Sequence, residues 1–84
     1  MTVRIDPTPN PNALKFTVGK DVGGPKTFVA GKDNDDPFAG PLLALEGVTS
    51  LFMTADFVTI SKTPESSWDE IAPEAQRILE SAFA

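Results

Sequence analysis

Residues 48 to 62 read VTSLFMTADFVTISK, and this stretch decides the fold of the chain. Two β-prone runs, 48–54 and 57–62, are rich in β-branched and aromatic residues and are separated only by Ala55 and Asp56. Such runs joined by so short a connection predict an antiparallel hairpin. Because Ala-Asp is a poor match to the Asn-Gly or Asp-Gly pairs of two-residue turns, we expect a slightly longer loop that includes Thr54.

A rigid turn followed by a strand is predicted upstream, where residues 8 to 16 read TPNPNALKF. Each proline fixes its own φ and pushes the preceding residue toward extended backbone, while asparagine side chains bond nearby backbone groups. Apolar and polar residues then alternate from Ala13 to Val18, which predicts a half-buried strand. Two further short strands are expected, one at residues 3–6 that ends at Pro7 and one at 27–30.

Two helices are predicted, one in the middle of the chain and one at its end. Asp36 and Pro37 suit the N-cap and first position of a helix that runs to about Leu45, with Phe38, Leu42 and Leu45 pointing inward. The second helix begins at a capping box, Ser67 to Glu70. Pro73 is expected to kink this helix or to divide off a one-turn prelude. The apolar residues with helical spacing are Trp68, Ile71, Ala72, Ala75, Ile78, Leu79, Ala82 and Phe83.

These elements predict an α+β fold over residues 1–84, one domain with a small, largely antiparallel sheet of about four strands and two helices packed on one face. In the first strand of the hairpin, simple alternation places bulky apolar residues on both sides of the sheet. One side carries Val48, Ser50, Phe52 and Thr54, and the other carries Thr49, Leu51 and Met53. One sheet face is therefore expected to stay partly exposed.

Composition excludes several classes of function. A formal net charge of −5 with seven scattered basic residues disfavours nucleic acid, and no apolar run approaches the roughly 20 residues of a membrane span. No apolar stretch follows Arg4 and there is no cysteine, so a secretory signal and disulfides are not expected and the predicted location is cytoplasmic. The chain has no His, Cys or Tyr and no phosphate-binding glycine loop, so we do not expect an enzyme.

Three groups of residues are candidates for partner binding. Phe52 and Phe57, with Met53, would supply an adaptable aromatic contact area on the exposed sheet face, although the same residues could instead complete a thin core. Asn10 and Asn12, with Lys15, form a polar group on a rigid turn that could recognise the backbone of a partner, but asparagine beside proline is first of all a turn former. Asp56 is expected at the hairpin tip, where turn formation alone explains it.

A weak metal site is the alternative at the acidic stretch 33–36. Asp33, Asp35 and Asp36 cluster oxygen ligands that could carry iron or another divalent cation. Pro37 occupies the third of the alternating positions that a calcium loop requires, so that spacing fails. A solvated loop with a helix cap explains the same residues, and without His or Cys a transition metal lacks its preferred ligands.

The stretches 8–16 and 47–62, with the terminal helix pattern, together resemble the N-terminal domain of Nfu/NifU-type iron–sulfur scaffold proteins from about Ile5 onward. The resemblance implies the same α+β layout and a role near iron–sulfur cluster assembly. In that family a Cys-x-x-Cys pair on a separate C-terminal domain holds the cluster, so this cysteine-free chain looks like the N-terminal module standing alone.

The function implied is a non-catalytic interaction or accessory module that docks an iron–sulfur carrier, a scaffold or an apo-client protein. It would bind no cofactor itself, and the iron–sulfur cluster would lie on the partner. A monomer or a weak homodimer is expected, and a purely structural homodimer is an alternative to the docking role.

Overall fold

The computed structural model describes residues 3–31 and 39–83, and within these ranges five strands and two helices follow one another. The strands and helices are β1 (Arg4–Pro7), β2 (Ala13–Thr17), β3 (Lys26–Val29), α1 (Ala39–Leu43), β4 (Val48–Thr54), β5 (Phe57–Lys62) and α2 (Trp68–Phe83). The α+β class is confirmed. The sheet has five strands rather than about four, because the short segments β1 and β3 both pair with longer neighbours.

The sheet is antiparallel throughout and has the strand order β1-β2-β5-β4-β3. The hairpin β4–β5 lies inside the sheet, with β2 paired to β5 and β3 paired to β4. The two strands of the hairpin have the bounds expected from the sequence. The most strongly β-prone stretch therefore forms two of the three inner strands.

The hairpin turn is shorter than predicted. Thr54 pairs with Phe57, so the loop consists of Ala55 and Asp56 alone, and the expectation of a longer loop was wrong. Ala55 adopts a positive φ of 52°, which is unusual for a residue with a Cβ. The turn is held from outside the hairpin, because the Val22 N–H donates to the Ala55 carbonyl oxygen at 2.9 Å and the Val18 N–H to that of Asp56 at 2.8 Å.

A register shift in β4 changes which residues share a face. Val48 pairs with Lys62 whereas Ser50 pairs with Ser61, so Thr49 is an extra residue in this strand. Simple alternation placed Val48 on the side of Phe52, but the shift turns Val48 toward the core, where it is buried together with Leu51. The bulge was not visible in the sequence because it depends on the pairing between the two strands.

The core lies between the helices and one face of the sheet. From α2, Ile71, Ala75 and Leu79 are buried at a spacing of four residues, which is one face of a helix. From α1, Leu42 is fully buried. The sheet residues buried beneath them are Phe16, Val48, Leu51, Met53, Val58 and Ile60. Both helices thus cover the same side of the sheet, as the sequence predicted.

Pro73 lies inside α2, where the sequence predicted either a kink or a division of the helix. The helix α2 is continuous through Pro73, so it is not divided into a prelude and a main helix. Pro73 and Asp69, the residue whose carbonyl loses its amide partner, are both exposed to solvent, which replaces the missing bond. The helix α1 is described only as Ala39–Leu43, and the predicted Asp36 cap, Pro37 and Phe38 lie outside the described residues.

Ser67 caps the start of α2, which confirms the serine half of the predicted capping box. The Ser67 hydroxyl accepts a hydrogen bond from the Asp69 N–H at 3.1 Å, and the Ser67 carbonyl accepts the first bonds of the helix from Glu70 and Ile71. In the part of the chain that the structure describes, no helix is long and apolar enough to cross a membrane.

Candidate docking surface

The sheet face opposite the helices is the open face, because among the described residues both helices pack on the other side. Side chains alternate between the two faces of a strand, so every second residue of each of the five strands lies on this face. These residues are Arg4, Asp6, Ala13, Lys15, Thr17, Thr27, Val29, Ser50, Phe52, Thr54, Phe57, Thr59 and Ser61. Hydroxyl-bearing side chains are the most numerous among them, and a small number of large apolar side chains lie between.

The apolar part of the open face lies at its β3–β4 side. Phe52 is 40% exposed and Val29 is 44% exposed, and these are the exposed large hydrophobic side chains among the described residues. Phe52 pairs with Thr27 and Val29 pairs with Ser50, so the two apolar residues are diagonal neighbours on adjacent strands. Together they form a small hydrophobic patch beside the sheet edge.

The β1–β2 side of the open face is charged. The Lys15 ammonium lies 4.4 Å from the centroid of the Phe57 ring, a cation–π contact that covers this half-buried aromatic side chain. Arg4 and Asp6 form an ion pair at 2.9 Å on the neighbouring strand. Because the Arg4 side chain is 76% exposed, this ion pair contributes little to stability. It places one positive and one negative charge on this side of the open face.

The structure places the predicted sheet residues on two sides. Phe52 and Phe57 lie on the open face, but Met53 is completely buried in the core on the helix-covered side. Met53 therefore cannot form part of the proposed contact area, because adjacent residues of a strand point to opposite faces. Asp56 is exposed at the hairpin tip, where its carbonyl oxygen holds the Val18 amide.

Asn10 and Asn12 lie at the opposite end of the sheet from Asp56. The Asn10 Oδ1 accepts the Asn12 N–H at 2.9 Å, which closes the turn locally. The Asn12 carbonyl oxygen accepts the Lys62 N–H at 2.8 Å, and the Asn12 Oδ1 accepts from the Lys62 ammonium at 3.2 Å. The fold does not bring these asparagines together with Phe52 or Asp56, so the six predicted partner residues do not form one site.

Sequence reasoning missed three residues that shape these surfaces. Val29 belongs to the open face, and Lys15, which the sequence grouped with Asn10 and Asn12, lies there over the Phe57 ring instead. Lys62 and Trp68 hold the asparagine turn, because the indole Nε1–H donates to the Pro11 carbonyl oxygen at 3.1 Å and the Lys62 ammonium lies 5.8 Å from the indole ring. No local pattern links Trp68 to a residue 57 positions away.

The donor set of the chain does not fit an iron–sulfur cluster, which protein thiolates and sometimes imidazoles hold, since the sequence contains neither Cys nor His. Asp33, Asp35 and Asp36 lie outside the described residues. Among the residues that are described, no three or more Asp, Glu, His or Cys side chains are grouped so that they could hold a metal ion.

An antiparallel α+β domain with one helix-covered sheet face defines a fold class rather than one activity. The comparison with protein families is specific: residues 3–84 match the family described as scaffold protein Nfu/NifU N terminal. The chain belongs to this family. The resemblance inferred from residues 8–16 and 47–62 is thereby confirmed.

Individual relatives agree with this membership. The chain is 40% identical over 88 residues to a mitochondrial NFU1 iron–sulfur cluster scaffold homolog of Drosophila erecta, covering all of this chain and 31% of the relative. It is 33% identical over 79 residues to conserved virulence factor C of Staphylococcus haemolyticus, covering 92% of this chain and 21% of the relative. The chain thus spans about a fifth to a third of the length of these curated relatives.

Solved structures show the same fold. The crystal structure of protein SAV1430 from Staphylococcus aureus has a TM-score of 0.80 at 29% identity, with 95% of this chain and 100% of that chain covered. The solution structure of a NifU-like protein from Saccharomyces cerevisiae also has a TM-score of 0.80, at 30% identity, with 94% of this chain and 75% of that chain covered.

Proposed function

We propose that this domain is a non-catalytic docking module of iron–sulfur cluster assembly. It presents its open face to a protein that carries, assembles or receives a cluster, and it holds no cluster itself. The observation that carries the proposal is the exposed Phe52 with Val29, a hydrophobic patch on the sheet face that the helices leave uncovered.

The exposure of this patch supports binding rather than folding. The sheet already has a buried core on its other side, which includes fully buried residues of β2, β4 and β5. A phenylalanine that is 40% exposed contributes much less to that core than its buried neighbours do. Aromatic side chains at the centre of a polar surface are typical of protein–protein contact areas.

The family supplies the biological setting. Membership in the Nfu/NifU N-terminal family supports a role related to iron–sulfur scaffolding. Because thiolate ligands are absent from this chain, the cluster-holding ligands in our proposal come from the partner, which is a cysteine-bearing carrier, a scaffold domain or an apo-client protein. The net charge of −5 favours a protein partner over nucleic acid.

The residue inventory supports a non-catalytic role, because the side chains most often used as general base or thiol nucleophile are missing. The sequence has no His, Cys or Tyr. Among the described residues, no polar or charged side chain is buried, whereas catalytic groups are commonly tuned by burial.

The test is a titration of the isotope-labelled domain with a purified Cys-x-x-Cys scaffold domain, apo and cluster-loaded, followed by amide chemical shifts. We expect shifts centred on Thr27, Val29 and Phe52, and a loss of affinity of about tenfold or more in the Phe52→Asp variant, because a carboxylate replaces the aromatic side chain of the hydrophobic patch.

Ser81→Asp is the matched control, since it adds the same charge at an exposed position of α2 on the other side of the molecule. This variant should bind as the wild type does. Shifts confined to the helices, or equal affinities of the two variants, would show that the open face is not the docking surface. A cluster that stayed with this domain after separation from the scaffold would contradict its cluster-free role.

A further inference from the structure

The sheet has two edge strands, and they differ in how well they are protected from pairing with another chain. The strand β1 contains Pro7 together with the Arg4–Asp6 ion pair, and both prolines and charges discourage strand addition. The strand β3 carries its one charge at its first position, Lys26, and continues as Thr27-Phe28-Val29. The edge at β3 is therefore the less protected one.

The backbone groups of β3 can be assigned to two sides. The Ala30 N–H donates to the Thr49 carbonyl oxygen at 2.9 Å, so this residue directs its backbone toward β4. Because successive residues of a strand direct their backbone groups to opposite sides, Phe28 also faces β4 while Thr27 and Val29 face away from it. In the part of the chain that the structure describes, no neighbouring strand pairs with that outer side.

We propose that the β3 edge is a self-association site at which a second copy of this chain adds its own β3 in antiparallel orientation. The pairing is centred on Phe28 of both copies. Thr27 of each copy then lies opposite Val29 of the other, and the interface is two-fold symmetric. The result is one continuous sheet of ten strands, five from each copy.

This register satisfies all the outward backbone groups at once. Thr27 and Val29 each offer one N–H and one C=O on the outer side, and the two Thr27–Val29 pairs exchange both of their bonds. The Phe28 residues of the two copies form the closer, non-hydrogen-bonded pair, so their half-buried rings cover each other on the helix side. A second copy presents the same two outward-facing residues in the complementary order, because the pairing is two-fold symmetric.

The same arrangement brings the exposed Val29 side chains of the two copies near each other on the open face. On the open face, Phe52 lies beside Thr27, and Thr27 lies beside Val29 of the second copy. Val29 of one copy then lies diagonal to Val29 of the other across the new strand pair, whereas each Phe52 stays behind Thr27 of its own copy.

The size and charge of the contact predict weak association. Four residues of β3 span roughly 14 Å, and such an edge buries much less than the roughly 1,200 Å² of a stable interface. Each copy carries a net charge of −5, so the two copies repel each other at low salt. Added salt screens this repulsion, and self-association should therefore strengthen as ionic strength rises.

The experiment is sedimentation equilibrium of the whole chain from about 10 μM to about 1 mM, at low and at moderate salt. The decisive variant is Val29→Pro, which removes an outward N–H without removing a bond to β4. Val29→Thr is the matched control, because threonine keeps both the N–H and the branched shape. We expect wild type and Val29→Thr to dimerise and Val29→Pro to associate at least tenfold more weakly, with circular dichroism showing that each is folded.

A second measurement uses the wild type alone and does not depend on the proline variant folding. Protection of the Thr27 and Val29 amides from hydrogen exchange should rise with protein concentration, whereas the Phe28 amide should be protected at all concentrations. A protein that stays monomeric throughout, or that dimerises equally well as Val29→Pro, overturns the proposal. Loss of association in Phe52→Asp but not in Val29→Pro also overturns it, because contact would then run through the open face rather than the edge.

Discussion

At the scale of single residues, Trp68 connects parts of the chain that are far apart in sequence. Its indole Nε1–H donates to the Pro11 carbonyl oxygen at 3.1 Å, and its ring lies 6.4 Å from that of Phe16. It is the first residue of α2, so one side chain joins the helix start, the turn before β2 and the edge of the core. The turn is thereby positioned by the helix as well as by its own prolines.

Replacing Trp68 with phenylalanine separates the hydrogen bond from the ring contact. Trp68→Phe should lower the free energy of unfolding by about 0.5–1.5 kcal/mol, because it deletes a single bond to an exposed carbonyl. Trp68→Ala should cost more, since the contact with Phe16 is lost as well. Urea unfolding followed by circular dichroism measures both, because the variants lack the one tryptophan of the chain. Equal stability of Trp68→Phe and wild type would mean that the bond to Pro11 contributes nothing.

At the scale of elements, the β4–β5 hairpin shows how tertiary contacts select a turn. Its two-residue loop places Ala55 at a φ of 52°, a conformation that costs an L-residue about 1–2 kcal/mol. The segment 18–22 donates to the carbonyl oxygens of both loop residues and so holds this conformation. Ala55-Asp56 is a weak turn sequence by itself, and the rest of the fold compensates for it.

Ala55→Gly should stabilise the domain. Glycine adopts a positive φ without the clash of a Cβ, which favours the folded state. Glycine also gives the unfolded chain more backbone entropy, which opposes this effect. The free energy of unfolding is expected to rise by about 0.5–1 kcal/mol in total. The urea midpoint should rise with an unchanged slope. Ala44→Gly is a control at an exposed position where φ is not positive, and this variant should lose stability. A loss of stability in Ala55→Gly would contradict the strain assigned to this turn.

At the scale of the whole molecule, the sheet is a boundary between a buried side and an open side. The adjacent residues Phe52 and Met53 illustrate the difference, since the former is 40% exposed and the latter is fully buried. Both lie near the middle of β4, and both are paired on each side, with β3 and with β5. Only the position of the helices distinguishes them.

Truncating these two neighbours should therefore have unequal effects. Met53→Ala should cost about 2–5 kcal/mol because it leaves a cavity in the core. Phe52→Ala should cost about 1 kcal/mol or less, the range of strand preferences on an exposed face. Urea unfolding of the two variants measures the difference directly. If Phe52→Ala were as destabilising as Met53→Ala, the open face would be part of the core, and docking through it would lose its physical basis.

Much of this fold follows from local patterns in the chain. The alternation in residues 48–62, the prolines and asparagines of 8–12 and the Ser67 cap act over a few residues, so the sequence alone predicted the hairpin, the turn before β2 and the start of α2. The same local motifs together also identified the family.

Only the tertiary structure decided which surface is open and which groups meet. The bulge at Thr49, the two-residue turn at Ala55 and the bond from Trp68 to Pro11 each depend on a partner distant in sequence. The burial of Met53 and the exposure of Phe52 depend on which side of the sheet the helices cover. A strand pattern of period two shows that the faces differ, but the packing of other elements decides which face is buried.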